Sequence, residues 1–141
     1  MARSGARAAA MQLIYERLMG GSGEDTLGVL IDFTPEEDDS RFISTVVEGV
    51  TGHVDELDSL IASYSPSREI DRIARVDLCI LRVALYEMRY CADTPESVAI
   101  NEAVELAKRF SEPASARFIN GVLGAISRSE QPAQENGAEN G

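Results

Sequence analysis

Apolar residues recur along this chain every three or four positions, the spacing that places them on one face of an α-helix. Met11, Ile14, Tyr15 and Leu18 follow it and predict a first helix over Ala6 to Met19. Gly20-Gly21-Ser22-Gly23 ends that helix, because glycine lifts the backbone restriction on which a helix depends. A short helix is expected near Thr26 to Ile31. Thr34-Pro35-Glu36-Glu37 opens the next one, with threonine as cap, proline at the first helical position and Glu37 closing a capping box. Its acids also suit the positive end of the helix dipole. Phe42, Val46, Val50, Val54, Leu57 and Ile61 carry this helix to about Ser63. Gly49 and Gly52 lie inside it at about 1 kcal/mol each relative to alanine, which predicts a close crossing by another helix.

Tyr64-Ser65-Pro66-Ser67 breaks the pattern, since a residue before proline avoids helical geometry. A further helix is expected over Glu69 to Tyr90, kinked near Ala74. Its broad apolar arc of Ile73, Val76, Ile80, Val83, Ala84 and Met88, widened by Leu78 and Leu85, marks it as central. Thr94-Pro95 starts another, as cap and first position, with Ala99, Ala103, Leu106, Ala107 and Phe110 facing inward. Ser111-Glu112-Pro113 separates it from the last, where Phe118, Ile119, Val122, Leu123 and Ile126 point inward and Gly121 sits at an expected tight contact. Residues 129–141 are polar and read as a disordered tail. No strand pattern and no internal repeat appear, so the fold class is all-α: one compact domain over residues 1–128, with about six or seven helices.

Composition narrows this further. With 6% aromatic residues and no Trp, the core must be built from Leu, Ile, Val, Ala and Met. No stretch approaches the roughly 20 apolar residues that cross a bilayer, and no apolar signal-peptide region follows the N-terminal arginines. Cys79 and Cys91 lie in or beside an apolar helix and are expected as reduced thiols. A cytoplasmic location, away from membranes, is the expectation.

The net charge of −11 argues against a nucleic-acid partner. Its distribution alters that reading. Between Glu24 and Asp58 eleven acids face the single base Arg41, and the remainder is nearly balanced. Acid is therefore expected on one hairpin, leaving a basic face elsewhere. Arg72, Arg75, Arg82 and Arg89 would fall within an arc of about 100° on one helix, the last three within about 40°, as a solvated face or as a surface for phosphates or carboxylates. Asp77 projects toward the apolar arc, either paired with an arginine of another helix or meeting a partner protein.

Catalytic chemistry is not supported. His53 is the only histidine and has no second ligand at metal-binding spacing. Neither a GxGxxG nor a P-loop is present, and Gly20-Gly21-Ser22-Gly23 lacks the P-loop lysine. Glu102 and Glu105 read as a solvated helix face rather than paired catalytic carboxylates. Glu-x-x-His pairs, which a metal-binding bundle would need, are missing. The expectation is a protein that is not an enzyme and carries no metal or cofactor.

Four segments carry a resemblance. They are Ala8-Ala9-Ala10-Met11-Gln12-Leu13-Ile14-Tyr15-Glu16, the run from Ile70 to Met88 with Leu81-Arg82-Val83-Ala84-Leu85-Tyr86-Glu87, Val98-Ala99-Ile100-Asn101-Glu102-Ala103-Val104-Glu105-Leu106-Ala107-Lys108, and Phe118-Ile119-Asn120-Gly121-Val122-Leu123. In order and spacing, over roughly residues 6 to 127, the chain resembles the NusB family of bacterial transcription antitermination factors. The resemblance implies two packed helical subdomains. It also implies binding of single-stranded boxA RNA of ribosomal operons together with NusE, the ribosomal small-subunit protein, within the antitermination complex of RNA polymerase. Carried over by position, Arg3 and Arg7 match the family's N-terminal arginine cluster, although Ser4 and Gly5 stand where further arginines are common. Phe118 matches its base-contacting aromatic, a role its periodicity leaves open beside one in the core. Tyr64 and Arg117 flank the same surface, and Tyr15 and Asp77 match positions that face NusE. Two other readings are a homodimer or structural module with a masked RNA surface, and a non-catalytic domain related to one in ribosomal-RNA cytosine methyltransferases.

Overall fold

A computed structural model describes residues 3–21 and 37–130 of the chain. Among these residues there are six α-helices and no strand: α1 (Arg3–Leu18), α2 (Glu37–Gly52), α3 (Val54–Tyr64), α4 (Arg75–Tyr90), α5 (Glu96–Phe110) and α6 (Pro113–Ser129). The expected helix at Thr26 to Ile31, the start at Thr34-Pro35-Glu36 and tail residues 131–141 lie outside the described residues. The last helix runs through Ser129, and Glu130 is held by Arg89, so these two residues, expected in the tail, belong with the folded part.

The helix α4 is the axis of the fold. Its residues from Asp77 to Glu87 are all buried, and it packs on each of the other five helices. Around it α1 pairs with α2, and α5 pairs with α6. Both pairs share one hydrophobic cluster built from Ala, Val, Leu, Ile and Met, with Phe42 and Tyr86 as its buried aromatic members. The two halves expected from the sequence are thus two sides of one core. Burial follows the predicted phases closely: Met11, Ile14, Val46, Val50, Leu57, Ile61, Ile80, Val83, Leu85, Ile119, Leu123 and Ile126 are all inside.

Several boundaries differ from the sequence pattern. The long second helix is broken at His53, whose φ of −121° and ψ of 19° leave helical geometry between α2 and α3. The apolar phase continues unbroken from Val50 to Leu57, which hides the joint in the sequence. His53 fastens it by donating from Nδ1 to the Gly49 carbonyl at 2.9 Å and by lying against Tyr90, ring centres 4.3 Å apart. The expected kink near Ala74 is a full break. Ile70–Arg72 forms a short 3₁₀ turn, and Ile73 and Ala74 are extended before α4 begins. Thr94 is buried and makes no capping bond, whereas Pro95 stands at the cap of α5 and Pro113 in the first turn of α6.

The two mid-helix glycines of α2 separate into different roles. A Cβ on Gly49 would land inside the Tyr86 ring, so this glycine is where α4 crosses α2. Added to Gly52 or Gly121, a Cβ would meet nothing within 4 Å, so neither marks the close crossing that the sequence predicts. Both thiols are free. Burial pushes the Cys79 thiol up to about 11, in keeping with an inert core residue.

Charged groups inside the fold come in closed pairs. Arg7 is 6% exposed and Glu87 is fully buried; Nε and Nη2 of Arg7 donate to the two carboxylate oxygens at 2.7 and 3.0 Å. This fork joins the start of α1 to the end of α4. No buried side-chain polar atom among the described residues lacks a partner.

Two outcomes follow. Glu87→Ala leaves a guanidinium buried without its counter-ion and should cost about 3–5 kcal/mol in urea unfolding. Gly49→Ala forces Tyr86 from its place and should cost about 1–3 kcal/mol, while Gly52→Ala, with open space at the Cβ, should leave the urea midpoint unchanged or raised.

Candidate functional site

The arginine stripe expected on one helix is largely spent on the fold. Arg72 is on the 3₁₀ turn and pairs with Glu69 at 3.1 Å, so it is not part of the α4 arc. Arg82 is 8% exposed and donates to both oxygens of Asp58 at 2.9 and 2.8 Å. Arg89 reaches Glu56 at 3.0 Å and Glu130 at 2.5 Å. Of the four, Arg75 alone is exposed with no carboxylate partner among the described residues, touching Met19 Sδ at 3.4 Å. The basic face is therefore corrected to a set of struts. Their partners Glu56 and Asp58 come from the acid-rich segment, so acid and base are not segregated as the charge map predicted. The Tyr90 hydroxyl donates to Glu56 at 2.6 Å and, with Arg89, holds that carboxyl below its usual range against the effect of burial.

Asp77 is corrected in the same sense. It is 5% exposed, and Ser111 and Ser115 donate to its two oxygens at 2.5 and 2.7 Å. Neither an arginine nor open surface faces it among the described residues; the carboxylate fastens the corner between α5 and α6. Ser111 caps the end of α5 and Ser115 stands in the first turn of α6, and no periodic signal links either to Asp77 more than thirty residues earlier, which is why the sequence did not reveal them as partners. Tyr15 is half-buried against the core.

Arg7, which the resemblance matches to the family's arginine cluster, is engaged by the Glu87 fork and also lines the hollow beside α5. Glu102 is equally engaged: it accepts from Ser4 at 2.9 Å and lies 3.8 Å from Arg7, so it is not a simple solvated face. Glu105 pairs with Lys108 on the exposed side.

What remains is a shallow groove along α5. One hollow of about 610 Å³ is lined by Arg3, Arg7, Asp93, Thr94, Pro95, Ser97, Val98, Asn101 and Glu102. A second of about 640 Å³ is lined by Ser97, Ile100, Asn101, Val104, Ala116, Arg117 and Asn120. Ser97 and Asn101 belong to both, one helical turn apart, so the hollows are neighbours across one ridge. The first hollow holds two arginines and two acids, Asp93 and Glu102. Arg3 lies over the Phe42 ring at 4.6 Å and 3.8 Å from Asp93, and Glu102 closes the other side. In the second hollow, Arg117 is exposed and has no ion-pair partner among the described residues. Phe118, next to it, is half-buried against the core, and Tyr64 stands exposed at the end of α3; neither is in the lining of these two hollows. The arrangement can grip an extended anion chain by two guanidiniums and offer amides to what lies between them. No group of His, Cys, Asp or Glu suited to a metal ion occurs among the described residues.

The chain matches the NusB family model over residues 4–128. It is 40% identical to the transcription antitermination protein NusB of Symbiobacterium thermophilum over 138 residues, covering 91% of this chain and 90% of the relative. To the protein of the same name from Acetivibrio thermocellus it is 43% identical over 128 residues, with 89% and 88% covered. Among solved structures, T. maritima NusB superposes with a TM-score of 0.80 at 28% identity, covering 94% of both chains. A crystal structure of the antitermination factors NusB and NusE in complex with dsRNA superposes with a TM-score of 0.77 at 25% identity, covering 91% of this chain and 97% of that one. With the helical order, the core and these matches in agreement, the chain belongs to the NusB family.

Proposed function

We propose that this chain is a transcription antitermination factor that binds boxA-type RNA of ribosomal RNA operons jointly with NusE. It acts in the cytoplasm by recruitment to the RNA polymerase antitermination complex, with no catalytic step of its own. The observation that carries the reading is the α5 groove with a guanidinium at each end, Arg3 and Arg117, on the fold of a relative solved as NusB and NusE in complex with dsRNA. Phe118 and Tyr64 stay in the proposal as aromatic contacts beside the groove, where a splayed base can stack. Tyr15 stays as a contact for NusE. Asp77 supports that partner indirectly, by holding the corner between α5 and α6.

Charge explains why a partner is needed. Arg7 is spent on Glu87, and Arg3 shares its end of the groove with Asp93 and Glu102. A polyanion gains little there and must displace Asp93 from Arg3. Binding by the chain alone is then weak and gently salt-dependent, with NusE supplying much of the affinity.

Titration of a single-stranded boxA dodecamer and its duplex, at two salt concentrations and with and without NusE, tests this. Two phosphate contacts predict a slope of log K against log [salt] of about −1.4 for the single strand, and a large gain on adding NusE. No gain with NusE overturns the recruitment reading. Asp93→Asn should tighten RNA binding about threefold, within the range of one exposed ion pair, whereas Asp71→Asn, an equal charge change on the 3₁₀ turn, should not.

A further inference from the structure

Gly121 has no structural explanation among the described residues. It lies in the middle of α6, where glycine is costly, and a Cβ there would meet nothing. A glycine that the fold does not need, on an exposed helix face, leaves room for something outside to approach the backbone. Its neighbours indicate what that is. Arg117 is one turn earlier on the same face, exposed and without an ion-pair partner among the described residues. Asn120 is adjacent, and Asn101 faces it from α5 across the second hollow. Asparagine is a poor residue for a helix interior unless its amide is engaged, yet neither amide has a hydrogen-bond partner among the described residues. Two idle amides and an idle guanidinium thus line one hollow with Ile100, Val104 and Ala116, and Gly121 follows Asn120 on the same helix, one turn after Arg117.

We propose that this edge of α6 and the facing Asn101 form a base-reading contact for single-stranded RNA, which rests on the RNA-binding reading above. Arg117 holds a phosphate. The carboxamides of Asn101 and Asn120, each a donor beside an acceptor, match the paired donor and acceptor of a nucleobase edge. Gly121 admits the strand close enough for both. Position comes from the guanidinium, and sequence discrimination comes from the amides.

The test uses the chain bound to NusE and a set of single-stranded RNA dodecamers varied one position at a time. Gly121→Ala should raise the Tm, as expected for alanine in place of a mid-helix glycine, while weakening RNA binding about tenfold. Gly52→Ala, a like change far from the groove, should leave affinity as it was. Asn101→Ala and Asn120→Ala should flatten the base preference at one or two adjacent positions and keep it elsewhere. Arg117→Ala should weaken all RNAs alike and lower the salt slope by about 0.7. Gly121→Ala with unchanged affinity, or asparagine variants with intact base preference, overturns the site while leaving RNA binding itself in place. If the unsubstituted complex binds none of the RNAs, both this assignment and the RNA-binding reading fall.

Discussion

Burying an ion pair between the first helix and the central one sets what the rest of this molecule can do. Arg7 and Glu87 are both buried, and each supplies the hydrogen bonds and opposite charge that water would otherwise give the other. The fork fixes the start of α1 beside the end of α4, and that juncture forms the wall of the groove along α5. It also removes from the surface a cation that a polyanion-binding protein would otherwise display.

The same economy recurs at α3. That helix contributes little to the apolar core beyond Leu57 and Ile61, but its Glu56 and Asp58 hold Arg89 and Arg82 in place. The joint at His53 is what turns α3 toward α4, with the imidazole packed between the Gly49 carbonyl and the Tyr90 ring. Charges that look segregated along the chain are interleaved in space. Opposite charges far apart in sequence meet because α3 folds back onto the axis.

The helices and their inward faces were legible in the sequence because amphipathic spacing is a local property. Phe42, Val46 and Val50 or Ile119, Val122 and Leu123 could face a core only one way. The break at His53 was not legible, since the apolar phase runs straight through it. Side-chain pairing was the least visible of all. Arg7 reads like a surface arginine until Glu87, eighty residues on, is placed beside it, and Asp77 reads like a docking residue until two serines from the next corner reach it. The groove lay between these cases: Arg117, which lines it, and Phe118 beside it came through a family pattern. Asn101, Asn120 and Ser97 gained meaning only when α5 and α6 were set side by side.

The net charge of −11 has a consequence for how such a protein finds its ligand. At physiological salt, fields fade over about 8 Å, and beyond that distance a polyanion senses little of the Arg117 edge. Closer in, the excess of acid repels it, and the Arg117 edge proposed for RNA is where it can settle. Such a molecule does not scan along a strand as a basic protein would. It must arrive face-on, and a partner already attached to the same transcript would supply that orientation by holding it nearby.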